Sequence, residues 1–205
     1  MNILVFLLYF GLLIMAMSVH EFSHGWVAYK LGDTTAKYSG RLTLNPLAHI
    51  DLVGTIILPL FLFITTQGQF VFGAAKPVPI NYLALRNPKQ DMIWIGASGP
   101  AANFIFAFLL SLAWKIIPPL LITDFILKNL IFINVILGVF NLIPIPPLDG
   151  SRILMGILPR GLARAYSQIE PYGFLLIILL IGLRFFDFII WPVARIILKL
   201  LMVSD

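Results

Sequence analysis

The sequence predicts an all-α polytopic membrane protein that forms a single membrane-embedded domain over residues 1–205. Three observations carry this reading. Hydrophobic residues make up 60% of the chain and charged ones 11%, with a mean hydropathy of +0.99; a water-soluble domain carries about 25% charged residues. Three stretches, 3–29, 92–117 and 125–147, are apolar over the about 20 residues that a helix needs to cross hydrocarbon. The polar residues fall in the connectors 32–51, 67–91 and 150–170, with no soluble domain or long linker among them.

The run 3–29 lacks a basic leader and is too long for the apolar part of a signal peptide, so it is read as a retained transmembrane helix. Residues 33–45 (DTTAKYSGRLTLN) mix β-branched and polar side chains around a turn candidate, Gly40, and predict short β-strands. Residues 52–66 are apolar but short and contain Pro59. In the stretch 70–82 (FVFGAAKPVPINY), Pro77 and Pro79 exclude a regular helix and leave backbone groups unpaired. At membrane depth such backbone is tolerated only against protein or water. Helices 92–117 and 125–147 complete a core of three. One or two C-terminal spans follow within 172–203; the second apolar piece, 185–203, carries Asp187, Pro192, Arg195 and Lys199 and suits either a span or an interfacial helix.

The net charge of +5 comes from Lys and Arg scattered along connectors, where they act as orientation signals and headgroup contacts rather than as a nucleic-acid patch. Cysteine is absent, so there is no disulfide framework and no thiolate metal site.

The chemistry concentrates in HEFSH, residues 20–24, inside the first span. Ionisable groups in hydrocarbon are costly and by default mark function. His20 and His24 lie one turn apart on one helix face, and Glu21 lies about 100° round from it. This spacing suits a zinc ion held by two imidazoles, with the glutamate acting on a metal-bound water without being a ligand. Zinc lowers the pKa of such a water from about 15.7 to about 7. A third ligand is needed. Asp149, directly after the apolar run 125–147, is the leading candidate; its alternative is a turn residue before Gly150. His49, in NPLAHID, fits an interfacial hydrogen-bonding role better than metal ligation.

Three separated motifs, HEFSH, SGPAANF (98–104) and NLIPIPPLDG (141–150), together resemble the site-2 protease family of intramembrane zinc metalloproteases. NPLAHID and FGAAKPVPIN are similar to features of its compact prokaryotic branch without PDZ or CBS domains. The resemblance covers most of residues 15–152, within a catalytic core 1–152. It implies one zinc per chain held by His20, His24 and Asp149, Glu21 as general base, and Asn141 as a donor to the oxyanion. Asn103 matches the family's middle-span asparagine, read equally as a packing hydrogen bond or as support for the site. Many relatives carry a span before the HExxH helix, and this sequence shows none.

A shared depth for the three ligands requires helices 3–29 and 125–147 to run in the same direction, with 92–117 antiparallel between them. Residues 52–66 with 67–90 then enter the membrane and return to the same side. Under that arrangement nine cations, from Lys30 to Arg164, share one face against Lys115 and Lys128 on the other. The positive-inside rule therefore turns the site of a multi-pass prokaryotic cell-membrane protein toward the cytoplasm. The expected reaction is hydrolysis of a peptide bond in or beside a transmembrane segment of a protein substrate within the lipid bilayer. The extended segment 70–80, with Gly73 and Lys76 as candidate support or substrate contacts, offers a strand edge for the unwound peptide. The small residues of GASGPAA (96–102), Gly96, Gly99 and Ala102 among them, read as helix-packing positions. The alternatives are an intramembrane metal-ion transporter and an inactive protease-like binding protein. A transporter needs polar groups at several depths, and an inactive relative usually loses the glutamate or a ligand.

Overall fold

An apolar run free of proline forms α1, Ile3–Lys30. In the computed structural model, which describes residues 3–67, 73–118 and 120–201, it is followed by a short helix α2, Thr35–Tyr38. A 3-10 turn, Pro46–His49, leads to a π-helical turn, Leu52–Ile57, whose first free N–H groups, on Val53 and Gly54, donate to the Asp51 carboxylate. That turn continues into α3, Leu58–Thr65. After a 3-10 turn at Tyr82–Ala84, α4 spans Pro88–Ile116 and α5 spans Leu121–Asn141. The remaining helices are α6, Asp149–Ile157; α7, Arg160–Ser167; α8, Gly173–Gly182; and α9, Phe185–Leu200.

Among the described residues, four stretches are long and apolar enough to cross a membrane: α1, α4, α5 and Arg160–Gly182, which takes in α7 and α8. Leu4, Ile105, Phe108 and Leu175 on these segments are each more than half exposed. Surface of that kind belongs in hydrocarbon rather than water.

Cross-contacts fix the helix directions. Tyr9 stacks edge-on against Phe125 near the starts of α1 and α5, and Asp149, just past α5, meets His20 and His24 on the later turns of α1. These two helices are therefore parallel. Early in α4, the Ile95 carbonyl meets His24; midway, Asn103 meets Ala16; and at its end Trp114 donates to Asp124 at the start of α5. Helix α4 is antiparallel to both. Ala107, Ile131, Val135, Val139 and Ala194 form a core among α4, α5 and α9. A second core packs Ile177 of α8 and Phe186 of α9 on Ile143 and Leu148, so the C-terminal helices brace the loop that leads to Asp149.

The structure corrects the expected β-strands: among the described residues there is none. Over 33–45 the β-branched residues serve a turn instead. The Asp33 carboxylate accepts from the Thr35 N–H and hydroxyl and starts α2, and the chain then turns at Gly40 (φ +68°). The natural pairing partner, 73–81, runs extended, but prolines at 77 and 79 cannot donate to a ladder. The Arg41 guanidinium bonds the carbonyls of Lys76 and Pro77 in place of a neighbouring strand. The expected span 125–147 also shifts: α5 stops at Asn141 because Pro144, Pro146 and Pro147 cannot continue it. Residues 70–72 of the extended stretch and 202–203 of the last span lie outside the described residues.

The segment 52–81 leaves and returns. Ala74 N–H donates to the Gly54 carbonyl (3.0 Å), and the Thr55 hydroxyl donates to the Ala74 carbonyl (2.7 Å), so the chain is back beside its point of departure. Further along, Asn81 N–H donates to Asp33 (2.6 Å). Asp33 is thus a fully buried carboxylate that ties the connector after α1 to the extended segment. Hydrogen bonds to a charged group contribute about 1.5–3 kcal/mol each. Asp33→Ala is expected to lower stability in detergent by at least about 2 kcal/mol and to open 74–81 to limited proteolysis. An unchanged unfolding midpoint and digestion pattern would show that the tether holds nothing.

Candidate metal centre

The one-turn spacing in α1 places His20 Nε2 and His24 Nε2 3.0 Å apart. Asp149, the first residue of α6, brings its Oδ2 to 2.9 Å from the former and 3.2 Å from the latter. Its approach depends on Gly150. A Cβ there would lie 2.5 Å from the Ile143 carbonyl oxygen and closer still to that of Leu142. Only glycine lets the start of α6 fold back onto the end of α5.

The protons on the imidazoles can be assigned from their outer partners. His24 Nδ1 lies 2.7 Å from the Ile95 carbonyl, which can only accept, so Nδ1 carries the proton. His20 Nδ1 lies 2.6 Å from Asn103 Oδ1. The Asn103 amide cannot be turned the other way, because its Nδ2 donates to the Ala16 carbonyl (3.2 Å). In the neutral form of each ring Nε2 is then the nitrogen left with a lone pair, and both Nε2 atoms face the Asp149 carboxylate. Oδ2 of Asp149 is buried and, among the described residues, accepts no hydrogen bond although two ring nitrogens surround it. Three potential ligand atoms converge on one point.

That arrangement fits a zinc ion. Ligand atoms on a tetrahedral zinc with bonds of about 2.0–2.1 Å sit roughly 3.3 Å apart, close to the 2.9–3.2 Å edges here. His20, His24 and Asp149 form a cluster of metal-binding character among the described residues. Gly99 of α4 lies directly under it: a Cβ there would come within 2.6 Å of His20 Nε2 and nearer to His24 Nε2.

Glu21 projects into the same cavity, of about 270 Å³, and its Oε2 accepts from the Val78 N–H (2.8 Å) in the extended segment. Asn141 also lines this cavity, with one amide hydrogen used on the Leu137 carbonyl (2.9 Å). Asn103 is fully buried behind His20. Two other residues read from the sequence lie elsewhere. Gly73 packs against Pro59 and Gly54, and the Lys76 side chain is exposed while its backbone bonds His49 and Arg41. His49 is buried and donates to the Thr43 carbonyl (2.8 Å). Tyr82 also lines the cavity; burial pushes its phenol up from its ordinary value, opposed in part by Arg152.

Sequence reasoning missed Asn134, a fully buried amide on α5 that accepts from Asn103 (2.7 Å). The available signal was a lone amide in an apolar run, the same signal that marked Asn103. It also missed the Ile95 carbonyl and the Val78 N–H, which are backbone groups that no residue type announces. Gly99, read as a packing position, packs on the candidate metal-ligand side chains themselves.

A bundle of apolar helices that holds two buried imidazoles beside a half-buried carboxylate and glutamate defines a membrane-embedded metallohydrolase. Comparison with known proteins agrees. Residues 120–181 match Peptidase family M50. The chain is 37% identical over 192 residues to "Putative zinc metalloprotease YwhC" of Bacillus subtilis, covering 89% of this chain and 84% of that protein. It is 31% identical over 196 residues to "Putative zinc metalloprotease Rip2" of Mycolicibacterium smegmatis, covering 91% and 73%. A "Putative zinc metalloprotease Rip2" of Mycobacterium tuberculosis (strain H37Rv) is 28% identical over 169 residues, covering 82% and 63%. No solved structure gives a significant match. The chain belongs to Peptidase family M50, the site-2 protease family. It is an intramembrane zinc metalloprotease, a membrane protein that works in lipid on membrane-protein substrates.

Gly99→Ala places a methyl group against both ring nitrogens. The expected result is a folded protein whose zinc affinity falls by at least the ~10–100-fold typical of changes beside a metal ligand. Metal analysis after gel filtration checks it; stoichiometric, tightly held zinc in the variant would contradict the packing described.

Proposed function

We propose that His20, His24 and Asp149 hold the zinc and that Glu21 is the general base for hydrolysis of a peptide bond in or beside a substrate's transmembrane segment. The observation that carries this is the convergence of three potential ligand atoms, with 2.9–3.2 Å edges, beside a glutamate in one cavity. When bound, zinc acidifies a water and polarises a carbonyl. Glu21 takes the proton of the attacking water and passes it to the leaving amine. The Val78 N–H holds one of its oxygens, which fixes the carboxylate and leaves the other oxygen for the water. Asn141 has a second amide hydrogen to offer the developing oxyanion.

The extended segment is the candidate docking edge. Ala74, Lys76 and Val78 donate to Gly54, His49 and Glu21. Alternate residues of an extended chain point the other way, and there the prolines at 77 and 79 remove two donors. A substrate peptide unwound from its helix can lie along the remaining carbonyls. Polar side chains (Asn141 and Arg152 besides the four site residues) line the cavity and admit water. The excess of cations on connectors that share the site's face turns that face toward the cytoplasm of a prokaryotic cell. Against a transporter, a single candidate metal cluster occurs among the described residues, whereas transport needs a series.

Glu21→Gln keeps the shape of the side chain and removes the base. In detergent, with a panel of single-span substrates, it is expected to keep one zinc per chain and to lose cleavage by ~10²–10⁴-fold. Retained zinc with undiminished cleavage would sink the role given to Glu21.

A further inference from the structure

We infer that Asn134 is a positioning residue for the metal centre, acting through Asn103 to set which nitrogen of His20 carries the proton. The inference rests on the proposed ligation of zinc by His20. Three helices supply the links: Asn134 from α5, Asn103 from α4 and His20 from α1. Both asparagines are fully buried and His20 is 6% exposed, so no water competes for these hydrogen bonds.

Backbone carbonyls set the direction of the chain of bonds at two places. Asn134 Nδ2 donates to the Leu130 carbonyl (2.8 Å), and a carbonyl cannot donate back, so Asn134 Oδ1 faces Asn103. That oxygen accepts one hydrogen of Asn103 Nδ2 at 2.7 Å, and the Ala16 carbonyl accepts the other at 3.2 Å. With both donors occupied, Asn103 has only its oxygen left for His20, and Oδ1 accepts the Nδ1 proton at 2.6 Å. Turning the Asn103 amide over would set its oxygen against two acceptor oxygens and its NH₂ against the ring N–H. The amide pair thus enforces one tautomer and leaves the His20 Nε2 lone pair for the metal.

The two ligating histidines differ in this respect. His24 donates to the Ile95 carbonyl, which belongs to the main chain of α4 and has no second orientation. His20 relies on a side-chain amide, which does have one, and Asn134 removes it together with the Ala16 carbonyl, through the shorter of the two bonds. Its place two helical turns before Asn141 puts the support and the candidate oxyanion donor on one face of α5.

The test compares Asn134→Leu, Asn134→Asp, His20→Ala and the unaltered chain, each purified full-length in detergent. Zinc affinity is read by chelator competition, and the His20 Nδ1 proton by imidazole-¹⁵N NMR of the zinc-loaded protein. Asn134→Leu removes the acceptor opposite Asn103, and zinc is expected to bind 10–100-fold more weakly, with the Nδ1–H resonance shifted or in faster exchange. Asn134→Asp keeps an oxygen at that position while losing the bond to Leu130. It is expected to hold zinc more tightly than Asn134→Leu even where its thermal stability is lower, an order that general destabilisation does not produce. Affinity that follows stability across the two variants, or an unchanged Asn134→Leu, overturns the inference. If a variant fails to fold, the unaltered protein decides: a His20 bound to zinc through Nδ1, or without a hydrogen-bonded Nδ1 proton, overturns it. Unchanged zinc binding in His20→Ala instead removes the ligand assignment on which the inference stands.

Discussion

Two imidazole nitrogens and a carboxylate oxygen stand 2.9–3.2 Å apart inside a helical bundle. At low dielectric each of these polar atoms needs a partner, and they find it in one another. The cluster ties α1 to the start of α6 across 125 residues of chain, from His24 to Asp149. The rest of the fold can be understood as what is needed to hold those three atoms at one depth. Helix α1 runs parallel to α5 so that Asp149 emerges beside the last turns of α1, and α4 runs back between them.

Close approach is the second requirement, and small residues meet it where a side chain would intrude. Gly99 lets α4 pass beneath the imidazoles, and Gly150 lets α6 begin against the carbonyls that end α5. Proline does the opposite work in the loop 142–148. It ends α5 early and stiffens the path to Asp149, while Ile177 and Phe186 brace that path from the C-terminal helices. The centre is thus held from every neighbouring element, including the extended segment, whose Val78 N–H holds Glu21.

How much of this was legible follows from what each feature depends on. The three central spans are a matter of composition over twenty residues, which averages out local detail. The pairing of His20 with His24 is a matter of helix periodicity, and Asp149 stood out as a carboxylate at the end of an apolar run. The strands over 33–45 failed because β-propensity describes a side chain's fit to a sheet, and no sheet is available: the neighbouring segment has its donors removed at Pro77 and Pro79. There the Asp33 and Arg41 side chains make the connections a ladder would have made. Asn134 escaped notice because its importance lies in a partner's orientation, which exists only once three helices are packed. The Ile95 carbonyl and Val78 N–H are invisible in principle, since every residue but proline carries the same two groups.

On the proposed roles, the extended segment has two faces with different tasks. Its inward face is largely committed: the N–H groups of Ala74, Lys76 and Val78 go to Gly54, His49 and Glu21, and the Ala74 and Lys76 carbonyls go to Thr55 and Arg41, which also takes the Pro77 carbonyl. On the outward positions 75, 77 and 79, only Ala75 retains a donor, because the other two are proline. A peptide laid on that edge finds acceptors for its N–H groups and almost no donors for its carbonyls. An ordinary strand edge would satisfy both and hold the carbonyls in a ladder. An edge depleted of donors leaves them unpaired beside the cavity that Asn141 lines and that would hold the zinc, so the group most in need of a partner is the one to be attacked. The prolines that prevent a sheet from forming inside the protein are, on this reading, also what keeps a bound substrate from becoming a stable part of one.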